Sequence, residues 1–476
     1  MAKALLIFGT RPEIVKLAPV IKALKAKRST QVIVGHSGQH YDREMSEVFI
    51  HQLGLPAPDF NLNSGSGSHA TQIAKVLVGC ERAIEQYEPD VVVAEGDTNT
   101  VVSVGLASTK LQKGFAHVES GLRSFDRRMP EEVNRIMADH CAELCCAPTK
   151  ISAANLIREA IPPQRIAVTG NTVVDACLGT LPLARRFSTI QTRLGEWDDF
   201  CLLTVHRSEN VDTKESLGSL LRLLRGLRER IVYPVHPRTR RRLIEHGYWK
   251  LLKKQEHVIT LPAVGYWDFL WLLSNCRFAM TDSGGVQEEA FTLGVPCITL
   301  RENTERPETV MLGRNFVTGM NLARVKAAMS KVEKMPNSQL KENPFGDGHA
   351  GQRIADLLAK NNLRSKVQRA RFLSDGYTIR RLIPVTKLKE YRKVRRLMTL
   401  CYDEFGRIGL PIKPENMEGW SVELFGEPSV LRPYAICAKK TSGHTQPHLL
   451  PSSNHKRTTR NNLQTAGKNQ TTERVA

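Results

Sequence analysis

Residues 281–289, with the sequence TDSGGVQEE, are the part of this 476-residue chain best suited to chemistry. They join the apolar run 278–280 to a helix-like run from Val286 to Leu293 through two glycines. A strand that passes directly into a helix turns unpaired backbone N–H groups and the positive end of a helix dipole toward one point. That point suits a phosphate group, although two glycines can also serve only the geometry of a tight turn.

Two carboxylates, Glu288 and Glu289, follow the glycines within one helical turn. Negative side chains there would repel a phosphate unless they bind something beside it, and sugar hydroxyls fit that role. The segment therefore indicates a ligand that carries both a phosphate and a sugar, as a nucleotide sugar does.

Charged and polar residues also follow several other apolar runs, in the segments 9–13, 38–40, 95–98, 119–121, 206–207 and 236–237. Each has an ordinary alternative. Asp97 could cap a helix, Glu131 could complement a helix dipole after Pro130, and His206 or His236 could be hydrogen-bonded structural residues. Charges at so many strand ends would be costly in two facing walls unless a polar ligand lies between them. Their agreement favours a ligand-binding cleft.

The elements that must position these residues alternate between short apolar runs and amphipathic runs. Strands are predicted at 4–8, 31–34, 91–94, 116–118 and 166–168, with helices at 14–24, 72–84 and 131–142. A second set has strands at 201–205, 231–234, 258–261, 278–281 and 297–300, with helices at 216–228, 267–274 and 286–293. This rhythm predicts the α/β class, with two Rossmann-like, doubly wound domains that face each other across a cleft.

The predicted domains follow from the same alternation of strands and helices. They are an N-terminal Rossmann-like domain (1–177), a hinge or linker (178–199), a C-terminal Rossmann-like nucleotide-binding domain (200–343) and a helix that packs back on the N-terminal domain (344–361). A basic extension (362–440) follows, with an amphipathic helix at 385–406. Residues 441–476 are rich in Ser, Thr, Asn, Gln and Lys and are predicted to be disordered.

The net charge of +20 is unevenly distributed, with +13 in residues 362–476 and +7 in residues 1–361. We therefore expect no nucleic-acid partner for the core, while the tail could bind RNA, DNA or anionic lipid. The ten cysteines lack zinc-ligand spacing, so no metal site is expected. Several lie in or beside apolar runs, which indicates reduced thiols and a cytoplasmic protein. No apolar run is long enough for a membrane span.

Seven blocks between residues 5 and 358 resemble, in order, the non-hydrolysing UDP-N-acetylglucosamine (UDP-GlcNAc) 2-epimerases. They are FGTRPE (8–13), EGDT (95–98), HVESGLR (117–123), PEEVNR (130–135), GNT (170–172), TDSGGVQEE (281–289) and TERPE (304–308). The resemblance implies a GT-B-like architecture, a homodimer, and no need for NAD or metal.

The resemblance also implies an activity, the reversible conversion of UDP-GlcNAc to UDP-N-acetylmannosamine (UDP-ManNAc) for polysaccharide or glycan precursors. The C2 proton leaves, UDP is eliminated to give a glycal, and UDP adds back as a proton returns to the other face. Inversion of C2 requires an acid and a base on opposite faces.

Individual roles follow from the resemblance alone. The implied catalytic residues are Asp97, Glu119, Glu131 and His206. The implied substrate-binding residues are Arg11, Lys16, Phe269, Ser283, Gly284, Gly285, Glu289 and Arg306. A possible second, allosteric UDP-GlcNAc would contact Gln39, His40 and His236. Val264 departs from the pattern, because some members carry glutamine there.

Three alternatives stay open. A hydrolysing epimerase, which releases UDP and ManNAc, would begin with the same elimination. A GT-B-type glycosyltransferase or phosphorylase would share the diphosphate-binding half but would need an acceptor pocket in place of the carboxylates. A nucleic-acid or membrane adaptor built on a relic enzyme domain would be expected to have lost some of the site residues.

Overall fold

The computed structural model describes residues 2–39, 43–195, 199–335 and 342–360, together with four short strands between residues 383 and 439. The chain divides into two compact units, Met1–Leu373 and Ser374–Ala476. Both α/β sheets belong to the first unit, which contains every residue of the predicted site.

The first sheet has seven parallel strands in the order β3-β2-β1-β4-β5-β6-β7. Its strands are β1 (Ala2–Phe8), β2 (Thr30–His36), β3 (Phe60–Asn61), β4 (Val91–Glu95), β5 (Gly114–Val118), β6 (Leu144–Ala147) and β7 (Ile166–Val168). We call these strands and the helices between and after them the first half of the unit. Its helices are α1 (Arg11–Lys25), α2 (Arg43–Gln52), α3 (His69–Tyr87), α4 (Asn99–Lys110), α5 (Pro130–Cys141), α6 (Lys150–Arg158), α7 (Thr172–Phe187) and α8 (Gln191–Leu194).

Strand β1 shows why its sequence is apolar at successive positions. Leu6 and Phe8 belong to the core that α1 covers, while Leu5 and Ile7 belong to the core on the other face. Because neighbouring side chains of a strand point to opposite faces, a strand covered on both sides must be apolar throughout. The continuous runs in the sequence reflect this burial.

The second sheet has six parallel strands in the order β10-β9-β8-β11-β12-β13. They are β8 (Cys201–Thr204), β9 (Ile231–Pro234), β10 (Val258–Leu261), β11 (Ala279–Thr281), β12 (Cys297–Thr299) and β13 (Asn315–Val317). With their helices they form what we call the second half. The helices are α9 (Ser208–Val211), α10 (Lys214–Gly226), α11 (Pro237–Glu245), α12 (Trp249–Lys253), α13 (Tyr266–Asn275), α14 (Gly284–Leu293), α15 (Pro307–Met311) and α16 (Leu322–Val332). The predicted α/β class with two doubly wound parallel sheets is confirmed.

Helix α17 (Ala350–Lys360) lies at the end of the first unit and packs against α1. Its residues Ile354, Ala355 and Leu358 share the core of the first sheet. At Gly351 an added Cβ would lie 2.7 Å from the backbone of Pro19, so the two helices approach too closely for a side chain there. The boundaries drawn between the domains from sequence stay predictions.

The second unit contains four strands, β14 (Ile383–Pro384), β15 (Pro411–Ile412), β16 (Trp420–Phe425) and β17 (Tyr434–Lys439). They form an antiparallel sheet in the order β14-β17-β16-β15, which the sequence did not lead us to expect. The predicted amphipathic helix at 385–406 and the predicted disordered tail at 441–476 lie outside the described residues. Across the described part of the chain, no helix has both the length and the apolar character needed to cross a membrane.

Candidate active site

The site lies where the carboxyl ends of both sheets meet. In the first sheet β1, β4 and β5 are neighbours, and in the second sheet β8, β11 and β12 are neighbours. The segments that follow these strands therefore come together, as expected for doubly wound sheets. Contacts between side chains of the two halves then define the site.

Glu119 follows β5 in a conformation that non-glycine residues rarely adopt, with a φ of 67°. Gly121 follows at a φ of 83°, and an added Cβ there would lie 2.2 Å from the carbonyl oxygen of Ser152. The positive φ of Glu119 costs on the order of 1–3 kcal/mol, a kind of strain that is typical of functional sites, whereas Gly121 adopts its φ without strain. The conformation of Glu119 directs its carboxylate toward α1 and the second half.

Five buried charged residues, Lys16, Glu95, Glu119, Glu288 and Arg306, form what we call the buried ion cluster. The Lys16 ammonium lies 2.5 Å from the Glu119 carboxylate and 3.0 Å from that of Glu95. The Arg306 guanidinium lies 2.9 Å from Glu119 and 3.1 Å from Glu288. Because Lys16 and Glu119 belong to the first half while Glu288 and Arg306 belong to the second, the cluster joins the two halves.

Asn171, which caps the N-terminus of α7, also bridges the halves. Its side-chain amide donates hydrogen bonds to Glu119 at 3.1 Å and to Glu288 at 2.9 Å. This amide holds the two carboxyl groups near each other.

The cluster sets different protonation states for its three carboxyl groups. Burial opposes the ionisation of Glu119, but Lys16 and Arg306 outweigh it and lower its pKa to about 2. Burial raises the pKa of Glu288 to about 7 against the attraction of Arg306, and it raises the pKa of Glu95 despite Lys16. Glu119 is therefore the ionised carboxylate of the cluster, while the other two resist ionisation.

Asp97 follows β4 and is half-buried. It forms an ion pair with the fully buried Arg135, which also contacts Glu132 at 2.8 Å. The side chain of Asn134 donates to the backbone carbonyl of Asp97 at 3.0 Å. Two residues of the PEEVNR block therefore hold Asp97, which explains why that block is part of the site.

Glu131 lies in the first turn of α5 and is half-exposed. Its carboxylate is 3.5 Å from the guanidinium of Arg207, which belongs to the second half. The pair adds a second ionic contact across the cleft. Glu131 is thus more accessible to a bound ligand than Glu119.

His206 follows β8, and Asp282 holds the backbone around it. The buried Asp282 carboxylate accepts hydrogen bonds from the backbone N–H groups of His206 and Arg207 at 3.0 and 2.9 Å. It also lies 3.3 Å from Nδ1 of His206. The ring of His206 lies 5.4 Å from the ring of His236, which follows β9 and caps α11. The two histidines therefore occupy one side of the cleft.

The N-terminus of α14 contains Gly284 and Gly285, the two glycines from which the sequence predicted a phosphate site. Ser283 is its N-cap residue, and its N–H donates to Thr281 at 2.9 Å. At Gly284 an added Cβ would lie 2.9 Å from Cζ of Arg306, whereas Gly285 meets nothing closer than 4.0 Å. Gly284 therefore lets the Arg306 guanidinium lie directly on the positive end of the helix.

Glu289 lies on the next turn of α14 and accepts a hydrogen bond from the Tyr266 hydroxyl at 2.8 Å. Burial raises its pKa to about 7, against the effect of this bond. Phe269, also on α13, is partly buried between the cores of the two halves. Val264, just before α13, is buried in the second half.

Two further predicted residues, Arg11 and Gln39, lie in the first half. Arg11 begins α1, and its guanidinium lies over the ring of Phe49, 5.8 Å from the centroid. The Gln39 side chain accepts hydrogen bonds from the backbone and the hydroxyl of Thr100 at 3.1 and 2.8 Å. His40 lies outside the described residues.

Sequence reasoning did not assign roles to three residues of this network, Glu13, Glu95 and Arg135, and it considered Glu288 only as a partner for sugar hydroxyls. Glu13 accepts hydrogen bonds from the N–H of Thr10 at 2.7 Å and from Gly9 and Thr98, and burial raises its pKa to about 7. These three residues and Glu288 all lie inside the motif blocks. The sequence signal that could have identified them is a charged residue within or directly beside an apolar run.

A metal centre has no support in the described ranges. They contain no group of three or more His, Cys, Asp or Glu side chains that could hold a metal ion. The free cysteines they include are mostly buried, and burial raises the pKa of thiols such as Cys80 and Cys146 to about 12.

Comparison with known proteins identifies the family. The family model for UDP-N-acetylglucosamine 2-epimerase matches residues 22–359. A UDP-N-acetylglucosamine 2-epimerase from Methanocaldococcus jannaschii is 45% identical over 364 residues, covering 75% of this chain and 98% of that protein. A UDP-2,3-diacetamido-2,3-dideoxy-D-glucuronate 2-epimerase from Pseudomonas aeruginosa is 37% identical over 75% of this chain and 99% of its own length.

Solved structures agree with this assignment. The crystal structure of the Methanocaldococcus jannaschii UDP-GlcNAc 2-epimerase in complex with UDP-GlcNAc and UDP is 43% identical, with a TM-score of 0.72. The match covers 75% of this chain and 100% of that one. The predicted GT-B-like arrangement and the predicted family are both confirmed. The chain belongs to the UDP-N-acetylglucosamine 2-epimerase family.

Proposed function

We propose that this protein interconverts UDP-GlcNAc and UDP-ManNAc without net hydrolysis, as a homodimer in the cytoplasm. One observation carries the proposal. Arg306 lies on the positive end of α14 and is also ion-paired to Glu119. The cation expected to meet a leaving diphosphate therefore contacts the carboxylate expected to act at the sugar.

The diphosphate would bind at the N-terminus of α14. Backbone N–H groups of the first turn, the helix dipole and the Arg306 guanidinium all favour a negative group there. Ser283, Gly284 and Gly285 form this turn. Glu289 lies one turn further along and is suited to hydroxyl groups of the nucleotide because its raised pKa lets it donate as well as accept.

Binding of the diphosphate would change the basicity of Glu119. Burial opposes the ionisation of Glu119, but Lys16 and Arg306 outweigh it and hold its pKa to about 2, which makes it a weak base. A diphosphate that takes up part of the positive charge of Arg306 would raise that pKa. Glu119 would therefore become a stronger base only when substrate is present.

Asp97 and Glu131 supply the other carboxylates that inversion at C2 needs. Asp97 is held by Arg135 while Glu131 faces Arg207 across the cleft, so the three carboxylates approach from different elements. Their role would be to remove a proton from one face of C2 and to return one to the other. His206 would stabilise the leaving diphosphate as the bond breaks.

The burial of the cluster supports retention of the glycal rather than its hydrolysis. Lys16, Glu119 and Arg306 are 7%, 6% and 3% exposed. A closed, water-poor cleft disfavours attack by water on a reactive intermediate. The chemistry uses acid–base groups of this chain and requires neither a metal nor a nicotinamide.

The test is an NMR time course of purified protein with UDP-GlcNAc in D2O. We expect UDP-ManNAc to appear with deuterium at C2, while free UDP and free ManNAc stay at trace levels. Stoichiometric release of UDP and ManNAc would instead identify a hydrolysing epimerase. Turnover with C2 still protonated would exclude proton exchange with solvent there. No turnover of UDP-GlcNAc, but turnover of the 2,3-diacetamido uronate, would favour the substrate class named for the Pseudomonas aeruginosa relative.

A further inference from the structure

The outer surface of the second half carries a concentrated positive charge. From Lys214, where α10 begins, to Lys254, which caps α12, the chain has twelve Lys and Arg against three Asp and Glu, a net charge of +9. The rest of residues 1–361 sums to −2. The positive charge of the folded core therefore comes from this one region. We call the exposed side of α10, α11 and α12 the basic face.

The cations of the basic face are neutralised by acids at one end and not at the other. On α11 they are paired: Arg238 and Arg242 share Asp212, and Arg241 lies 3.6 Å from Glu245. By contrast, the lysines of α12 and its cap have no carboxylate within ion-pair distance among the described residues; they are Lys250, Lys253 and Lys254. The face therefore keeps a strong positive potential at the α12 end.

Apolar side chains lie among these cations. Ile244 and Leu251 are 49% and 51% exposed. The ring of Trp249 has the Arg240 guanidinium at 5.4 Å and the Lys253 ammonium at 5.9 Å. Ile244 is four residues after Arg240 on α11, so the two share one side of that helix. The combination is a basic surface with exposed aliphatic and indole groups.

We propose that the basic face binds the surface of an anionic lipid bilayer. Basic helices that expose leucine, isoleucine or tryptophan bind in the headgroup region, where cations meet anionic lipids and apolar groups enter the acyl boundary. A nucleic acid would complement the cations only, since its phosphate backbone makes no use of exposed Ile244 and Leu251. The exposed apolar residues therefore favour lipid.

The position of α12 keeps the cleft free in such a complex. α11 begins at the carboxyl end of β9, beside His236, and runs back along the sheet. α12 then precedes β10, which is parallel to β9, so α12 lies toward the amino edge of the sheet. The active site opens at the carboxyl edge, and lipid bound at α12 would leave it accessible.

The test is co-sedimentation of the full chain with vesicles of phosphatidylcholine alone or of equal parts phosphatidylcholine and phosphatidylglycerol. We expect binding to the anionic vesicles only. The triple variant Lys250→Glu, Lys253→Glu, Lys254→Glu should reduce the partition coefficient by about tenfold or more, because three cations near the surface act together. The double variant Ile244→Ser, Leu251→Ser should also reduce it, by about threefold or more.

The matched control is the triple variant Lys75→Glu, Arg82→Glu, Lys110→Glu, which makes the same charge change on exposed positions of the first half. It should retain binding within about twofold. An equal loss in control and test variants would overturn the proposal, because it would mean that net charge alone decides binding. No loss in either variant would also overturn it, because it would place vesicle binding outside the basic face. If the apolar double variant binds vesicles normally while the lysine variant loses affinity for an RNA oligonucleotide, the face is a nucleic-acid surface instead. Turnover within about twofold of wild type would show that each variant is folded.

Discussion

The two walls of the cleft use charge in opposite ways. The wall of the first half presents carboxylates at strand ends, with Asp97 and Glu119 held by cations behind them. The wall of the second half presents the positive end of α14 with Arg306 against it. The first arrangement suits proton transfer and the second suits a diphosphate. A reaction that removes a proton and expels a diphosphate needs both walls, and Arg306 with Glu119 is where they meet.

The sharpest test of this division is Glu119→Gln. The change removes the ionised carboxylate of the buried ion cluster but retains a side chain of similar shape. We expect turnover to fall by about 10²-fold or more, the usual range for a lost acid or base. UDP affinity should be unchanged or higher, because Arg306 loses a competing anion. Turnover and calorimetric titration with UDP provide the two measurements.

Glu85→Gln, an exposed position on α3, is the control and should behave like wild type. Near-native turnover of Glu119→Gln would mean that Glu119 only neutralises Lys16 and Arg306. The first wall would then hold its catalytic group elsewhere.

Arg306→Lys tests the second wall and should have a smaller effect. Lysine keeps the positive charge but loses the planar fork that reaches Glu119 and Glu288 together. We expect UDP to bind about tenfold more weakly, which corresponds to about 1.4 kcal/mol. The comparison variant is Arg324→Lys, since Arg324 forms an exposed ion pair with Glu302 at 3.0 Å. Equal UDP affinity in both variants would remove Arg306 from the diphosphate site.

The third prediction concerns the dependence of the free energy of unfolding on pH. Burial raises the pKa of Glu289 from 4.5 to about 7. The folded state therefore keeps a proton that the unfolded chain releases, so stability is full below about pH 4.5 and falls as pH rises through about 7. The loss reaches at most about 3 kcal/mol, since one pKa unit corresponds to about 1.4 kcal/mol.

Glu289→Gln should abolish this contribution, because glutamine cannot ionise and can still accept the Tyr266 hydroxyl. Urea midpoints at pH 5 and pH 8 measure it, and the variant should lose less stability than wild type between these values. The control is again Glu85→Gln. A variant that follows the wild-type pH dependence would show that Glu289 is already ionised in the fold.

The fold and the motif blocks were predictable because they depend on local signals. Continuous apolar runs predicted β4 and β5, and the glycines after β11 predicted the start of α14. β6 was missed, since its four residues contain the Cys145-Cys146 pair, which was considered only as thiols. Such a short buried strand has too few residues for a periodic pattern.

The network within the site could not be derived in the same way. Glu119 and Arg306 are 187 positions apart, and their contact depends on how the two halves close. The basic face was also hidden, because the acidic remainder of the core offsets the +9 of residues 214–254 when charge is summed over domains. Summed charge and linear motifs do not report which side chains share a surface.

The docking of α17 on α1 links the folding of the first half to the progress of translation. The sheet covers one part of the apolar surface of α1, but the part that packs on α17 stays exposed until Ile354, Ala355 and Leu358 have been synthesised. At about 5–20 residues per second, the residues that follow Lys360 take several more seconds to make. During that interval α17 can leave the ribosome and close the core while the chain is still tethered. The first half can therefore complete its core while the chain is still being synthesised.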